Sequence, residues 1–301
     1  ILTGSSTPKT KGKLHSGTGR IVSLRMNTMS LYESGDSSGL VSLKELCEGK
    51  INMQMLDEVP LDKIAYYIIR GGWPQNIDVK EENAHIMPRS YMEGVCREDI
   101  NKLDDGVEYK EHIANLLLRS IARNESTTAS ELKLLDDIKS IDNESMSRNT
   151  LSKYLESLER LFLFNNQLPY SPNVRSSLRV KQQEKRHFSD PAMACALLNL
   201  NSKKLINDLP TFGFMFESLV ERDLGIYAQS FGGKLFHYQD YKNNEIDAVI
   251  ELEDGEWCAF EIKLGANKID EAANNLIRIN ILILNDYKND IVLTIHKEKY
   301  K

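Results

Sequence analysis

Two stretches late in the chain carry an apolar residue at every second position, with the charged residues confined to the positions between. In "EIDAVIEL", Ile246, Ala248, Ile250 and Leu252 alternate with Glu245, Asp247, Val249 and Glu251. In "WCAFEIKL", Cys258, Phe260, Ile262 and Leu264 alternate with Trp257, Ala259, Glu261 and Lys263. Period-two patterning of this kind predicts two strands, and the turn between them decides which faces coincide. A two-residue Asp254-Gly255 turn sets Asp247 across from Ile262 and mixes apolar with charged positions on both faces. A three-residue loop, Glu253-Asp254-Gly255 with glycine in the left-handed region, pairs Ile246 with Ile262, Ala248 with Phe260 and Ile250 with Cys258. The second register is expected, because a slip of one residue exposes a whole apolar set.

Helical spacing dominates the earlier part. "PLDKIAYYIIRGGWP" places Leu61, Ile64, Tyr67 and Ile68 on one face and stops at Gly71 and Gly72, and "LVSLKELCEG" ends on a glycine. "EHIANLLLRSIARN", "ASELKLLDDIKSI" and "SRNTLSKYLESLERLFLF" predict three amphipathic helices. With the stiff apolar segment and the basic "NVRSSLRVKQQEKRHF" that follow, they read as a winged helix-turn-helix. A helix over "FMFESLVERDLGIYAQSF" then leads to a strand in "KLFHYQDY", the hairpin, a helix around Lys268 to Ile279, and the apolar runs "INILILN" and "DIVLTIH". That order is an α/β module with its own core. At the other end, "ILTGSS" and "IVSLRM" read as two short strands, the start of the chain resembling the tail of a domain.

The 301 residues carry a net charge of −6 with 41% apolar and 27% charged residues, an ordinary globular balance with room for two or three cores. That charge argues against a protein that coats nucleic acid through charge alone, although a local basic face is compatible with it. No run approaches the length of a membrane span and no secretory signal pattern opens the chain, so a cytoplasmic location is expected. Cys47, Cys96, Cys195 and Cys258 are scattered without metal-ligand or framework spacing, and are expected to be buried reduced thiols. The six histidines show no ligand spacing.

In the preferred register Asp247 lies opposite Glu261, and Glu245 opposite Lys263. Like charges opposed on a sheet are unfavourable, so the pair calls for a cation between the acids. Two hard carboxylates suit Mg²⁺ or Mn²⁺, and Lys263 on the same face is placed to orient a water or steady negative charge on a phosphate. The alternative is a plain solvated face, but Trp257, Val249 and Ala259 share it, so something is expected to cover part of it. Arg175, Arg179, Lys181, Lys185 and Arg186 form the densest basic stretch. They read either as contacts to nucleic-acid phosphates or as a solvated linker balancing nearby acids.

Asp247, then Glu261-x-Lys263 in strand, preceded by a helix carrying Glu217, resembles the PD-(D/E)xK nuclease superfamily. "RGGWP", "TLSKYLESLERLFLF", "HFSDPAMACALL", "GFMFESLVERDL" and "NEIDAVIELEDGEWCAFEIKLG" together resemble the AAA+ ATPases that carry a C-terminal DUF4143 region. The resemblance implies a mixed α/β and α chain: the end of an AAA+ core (1–30), a helical lid (31–105), a winged-helix-like domain (106–204) and a restriction-endonuclease-like α/β domain (205–301). It implies Asp247, Glu261 and Lys263 as catalytic residues, and Asp247, Glu261 and Glu217 as ligands of Mg²⁺ or Mn²⁺. A helix glutamate beside Glu221 and Arg222 is more often surface charge, which is the alternative for Glu217. Ser5 in the sensor-1 strand and Arg20 as an arginine finger would face ATP, with capping a loop the plain alternative for Arg20. No G-x-x-x-x-G-K-[ST] sequence occurs in these residues, so ATP binding and homo-oligomer formation are expected of an intact parent with its P-loop upstream. A "Pro-Asp" pair before Asp247 is replaced by Glu245-Ile246-Asp247. The expected function is nucleic-acid binding, with Mg²⁺-dependent phosphodiester cleavage or, alternatively, an inactive platform for protein or DNA coupled to ATP-driven movement.

Overall fold

The computed structural model describes residues 24–50, 58–103, 109–141, 146–173, 175–177, 179, 182–242, 244–283 and 290–294. Ser5, Arg20, Lys181 and the "ILTGSS" strand lie outside them. The strand expected over "IVSLRM" does not form over its described residues, 24–26. Arg25 there donates instead to Phe162 O, Phe164 O and Ser189 Oγ at 2.9, 2.9 and 2.7 Å, tying the chain to the helical region rather than to a sheet.

The helical region holds α1 (Leu43–Cys47), α2 (Leu61–Arg70), α3 (Ile86–Gly94), a π-helical turn (Val95–Asp99) running into α4 (Ile100–Lys102), then α5 (Glu111–Arg123), α6 (Glu131–Ile141) and α7 (Arg148–Arg160). Helix α2 buries Ile64, Tyr67 and Ile68, the face its spacing predicts, and ends at Gly71 with φ +68. Gly72 is needed for a close approach: a Cβ there would collide with the Met29 backbone, whose amide donates to Gly72 O at 2.8 Å. The α5–α7 trio forms where the periodicity places it, with Ser147 capping α7 through Thr150 N. Antiparallel bridges Phe164↔Phe188, Gln167↔Lys185 and Thr127↔Arg186 follow it.

Next come α8 (Pro191–Leu197), α9 (Ser202–Asn207) and the long α10 (Leu209–Ser230). The sheet has the order β1 (Leu168–Pro169), β2 (Lys234–Gln239), β3 (Glu245–Glu251), β4 (Trp257–Lys263), β5 (Asp290–Thr294), with α11 (Ile269–Ile283) between the last two. Strands β2, β3 and β4 are antiparallel neighbours, while β5 adds parallel to β4 through the α11 crossover.

The hairpin pairs Ala248 with Phe260 and Ile250 with Cys258, the register that the alternation selects. Leu252 N donates to Glu256 O at 2.7 Å, which leaves a loop of Glu253, Asp254 and Gly255, and Gly255 has φ +86. Ala248, Ile250, Cys258, Phe260 and Ile262 join the main core with Phe212, Phe216 and Leu219 of α10. The opposite face is covered as well: Val249, Trp257 and Ala259 pack with Leu276 and Ile279 of α11. Burying both faces of a small sheet between helices fixes the register and the height of every side chain at its rim.

Cys47 and Cys258, expected as separate thiols, are instead joined by a disulfide, Cα atoms 5.5 Å apart. Both fall on apolar inner faces that pack together, one from α1 and one from β4, a proximity that spacing along the chain could not show. Cys96 and Cys195 are buried free thiols. Among the described residues no helix is long and apolar enough to cross a membrane.

Candidate functional site

The charged ends of β3 and β4 meet at one rim of the sheet. Asp247 Oδ2 accepts from Ile262 N at 2.7 Å and from Lys263 Nζ at 2.8 Å. Lys263 Nζ is also 2.6 Å from Glu261 Oε2, so a single ammonium bridges the two acids. The cation that the opposed carboxylates require is therefore a lysine of the same hairpin. Glu261 is buried and its other oxygen, Oε1, accepts from Asn275 Nδ2 of α11 at 2.6 Å. Asn275 is in turn held by Arg278, whose Nη2 donates to Asn275 Oδ1 at 2.8 Å.

A cleft of about 590 Å³ opens above these groups, lined by Glu245, Glu271, Asn274, Asn275 and Arg278 besides the three central side chains. A second cavity of about 240 Å³ lies on the other side of Glu245 and Asp247, between β2 and β3, the 126–128 loop and α10. Burial and the neighbouring Asp247 charge push Glu261 up to about 7. For Asp247 burial acts in the same direction but loses: the ammonium charges of Lys185 and Lys263 hold it below the usual carboxylate range. A mostly solvated ribbon face, the plain alternative for these acids, is thus excluded.

Lys185 makes a second bridge behind the first. Its Nζ is 2.5 Å from Glu217 Oε1, 2.7 Å from Glu221 Oε1 and 3.1 Å from Asp247 O. Glu217 therefore reaches the neighbourhood of Asp247, but with its Oε1 on a lysine and not on a shared cation position with Asp247 and Glu261. Among the described residues no three His, Cys, Asp or Glu side chains gather so as to hold a metal ion. Behind Lys185, His187 lies 3.1 Å from Glu221 Oε2 and 3.4 Å from Glu125 Oε1. Burial lowers His187 to about 4 and raises Glu221 and Glu217 to about 7 and Glu125 to about 8.

The basic stretch does not form one exposed face. Lys185 turns inward because its segment is pinned by the pairing with Gln167, and Arg186 Nε donates to Ala129 O at 2.6 Å. Arg179 pairs with Glu251 at 2.7 Å and lies over the Tyr170 ring. Of the described members only Arg175 is exposed. The contributions of Glu125, Glu221, His187 and Asn275 escaped sequence reasoning.

Comparison with known families divides the chain in two. Residues 61–204 match the model of a domain of unknown function, DUF8612. Residues 212–301 match DUF4143, also a domain of unknown function. The C-terminal segment is thus similar to DUF4143 domains. No curated protein and no solved structure matches the chain. The DUF8612 match runs without a break across the 105/106 boundary drawn between lid and winged-helix-like domain. The DUF4143 part contributes Glu217, Asp247, Glu261 and Lys263, whereas Lys185, His187 and Glu125 come from the DUF8612 part.

Other motif residues meet in a structural hub. Asp190 of "HFSDP" accepts from Gly72 N of "RGGWP" at 2.9 Å and from Arg222 Nη1 of "FESLVERDL" at 2.9 Å, while its Oδ1 caps α8 through Ala192 N. These residues hold elements together and line neither cavity.

Proposed function

We propose that the DUF4143 part carries a nuclease-type phosphodiester site that works with Mg²⁺ or Mn²⁺ held by Asp247 and Glu261. The observation behind this reading is the convergence of a buried carboxylate, Glu261, and a half-buried one, Asp247, on one cation position that opens on a cleft, with an ammonium in that position. The donor set fits a small divalent ion, which takes oxygen ligands and keeps several waters. Lys263 is 30% exposed, so its flexible stem can swing into the cleft and release both oxygens. When bound, the ion supplies Lewis-acid stabilisation to a phosphate oxygen.

The chain's own residues supply the rest. Asn275 and Ile262 N fix the two carboxylates, and Lys263, once released, stays within reach to steady charge on a phosphate. The cleft wall holds the acids Glu245, Asp247, Glu261 and Glu271 against the cations Lys263 and Arg278. A polyanion entering such a wall is repelled until a cation offsets it, so metal and nucleic acid are expected to bind together. The resemblance to AAA+ ATPases supports the wider reading that this site works beside an ATP-driven core in an oligomer.

Incubating labelled single- and double-stranded oligonucleotides with the chain and Mn²⁺ tests the site. Asp247→Ala and Lys263→Ala are expected to slow cutting by about 100-fold or more; equal nicking by all three removes the enzyme reading. Calorimetry tests the exchange: Lys263→Met, having lost the competing ammonium, is expected to bind Mn²⁺ about tenfold more tightly, near 1.4 kcal/mol. A second reading, an inactive binding platform, is favoured by the saturation of Asp247 Oδ2 and both Glu261 oxygens by protein donors. Absence of any heat at millimolar Mn²⁺ selects it.

A further inference from the structure

The lysine behind the site belongs to the other family region. We propose that Lys185 is a positioning residue of the candidate site, supplied by the DUF8612 part of the chain, which holds Asp247 in place through its main-chain carbonyl. The inference rests on the proposed metal-dependent reading for its functional meaning, though not for its geometry.

Several observations converge on this role. The Lys185 side chain is 8% exposed, and an ammonium has three donors and no acceptor. The three available oxygens, Glu217 Oε1, Glu221 Oε1 and Asp247 O, use all three donors, so no water is needed to complete the shell. Its backbone is fixed on both sides: Lys185 N donates to Gln167 O at 3.0 Å, Gln167 N returns a bond of 2.9 Å, and Arg186 N donates to Thr127 O at 2.8 Å. The ammonium is thus carried on a rigid segment of one region and clamped to α10 and β3 of the other. At its far end lies Asp247 O, on the residue whose carboxylate meets Ile262 N and Lys263 across the hairpin. Support behind a ligand typically matters 10–100-fold in metal affinity. A purely structural ion cluster would satisfy Lys185 equally well without touching β3, and the bond to Asp247 O is what distinguishes the two.

The test uses the whole 301-residue chain. Lys185→Met alone strands two buried carboxylates, so Lys185→Met/Glu221→Gln is compared with Glu221→Gln and with Lys185→Arg, each checked for a folded spectrum. Two readouts are taken: Mn²⁺ affinity by calorimetry, and the Ile262 amide resonance, which reports the Asp247 carboxylate that accepts from it. Expected are a loss of Mn²⁺ affinity of about tenfold or more in the double variant, an upfield move of the Ile262 amide proton, and recovery of part of both in Lys185→Arg. Glu221→Gln should leave both near the parent values. Parent-like affinity together with an unmoved Ile262 resonance in the double variant overturns the proposal. Should the parent chain itself bind no Mn²⁺, the metal-dependent reading fails, and the Ile262 resonance alone decides whether Lys185 positions Asp247.

Discussion

Two lysines are each clasped by two carboxylates, and they differ mainly in access to water. Lys263, between Asp247 and Glu261, is 30% exposed and faces a cleft, whereas Lys185, between Glu217 and Glu221, is 8% exposed and closed in by three chain segments. Coulomb attraction is similar in kind at both, but solvent reaches the first far more freely, the second only bordering the smaller cavity through Lys185 and Glu217. On the proposed reading the open bridge exchanges its cation, whereas the closed one is kept or lost. A lysine clasped by two carboxylates therefore gives a candidate site in one place and a strut in the other.

The largest effect expected from this contrast is on stability. Removing one partner of a buried pair leaves an uncompensated charge, so Lys185→Met should cost about 3–5 kcal/mol in urea unfolding. Lys263→Met should cost less, about 2 kcal/mol, because Asp247 keeps Ile262 N and Glu261 keeps Asn275 as donors and the cleft admits water beside them. Equal losses would abolish the distinction between strut and site.

A pH series sharpens it next. Glu125, Glu217, Glu221 and Glu261 all have pKa values raised from 4.5, to about 8 for the first and about 7 for the others. These four acids hold more protons folded than unfolded and make stability fall as pH rises from about 4.5 through 8, while His187 and His237, lowered to about 4 and so less protonated when folded, oppose them between about 4 and 6.5. Lys185 and Lys263 are raised above their ordinary value, so their contribution is complete below about 10.5 and adds no slope in that window. Urea midpoints at pH 5.5 and 8.5 check the sign, and Glu125→Gln should flatten the upper part of the curve. A midpoint that climbs with pH would contradict the burial of these acids.

The smallest effect concerns the open bridge alone. Asn275→Ala frees Glu261 Oε1 from its donor and should cost about 1 kcal/mol of stability, while loosening Mn²⁺ about tenfold. An unchanged Mn²⁺ isotherm would show that Asn275 does not orient the ligand.

How much of this could be read from the sequence follows from the range of each interaction. Hairpin register, the left-handed Gly255, the α2 stop at Gly71 and the α5–α7 trio are local, set by periodicity and turn chemistry over a few residues. The pairing of Asp247, Glu261 and Lys263 could be derived from that register, because side chains on neighbouring strands inherit their faces from it. Lys185 could not: within "VKQQEKRHF" it reads as one of several exposed cations, and only the pairing with Gln167 turns it inward. Asn275 reaches Glu261 from a helix across a crossover, and Cys47 meets Cys258 over a separation of 211 residues. Contacts of that range are decided by tertiary packing and carry no short-range signature.

Asp190 gives the molecule a keystone. One carboxylate at the start of α8 is shared by a main-chain amide after α2, the first turn of its own helix and a guanidinium on α10. Taking the carboxylate away leaves the Gly72 amide without that acceptor and Arg222 with its bridge to Asp223, so the parts matched by two separate family models share one buried anchor across their boundary.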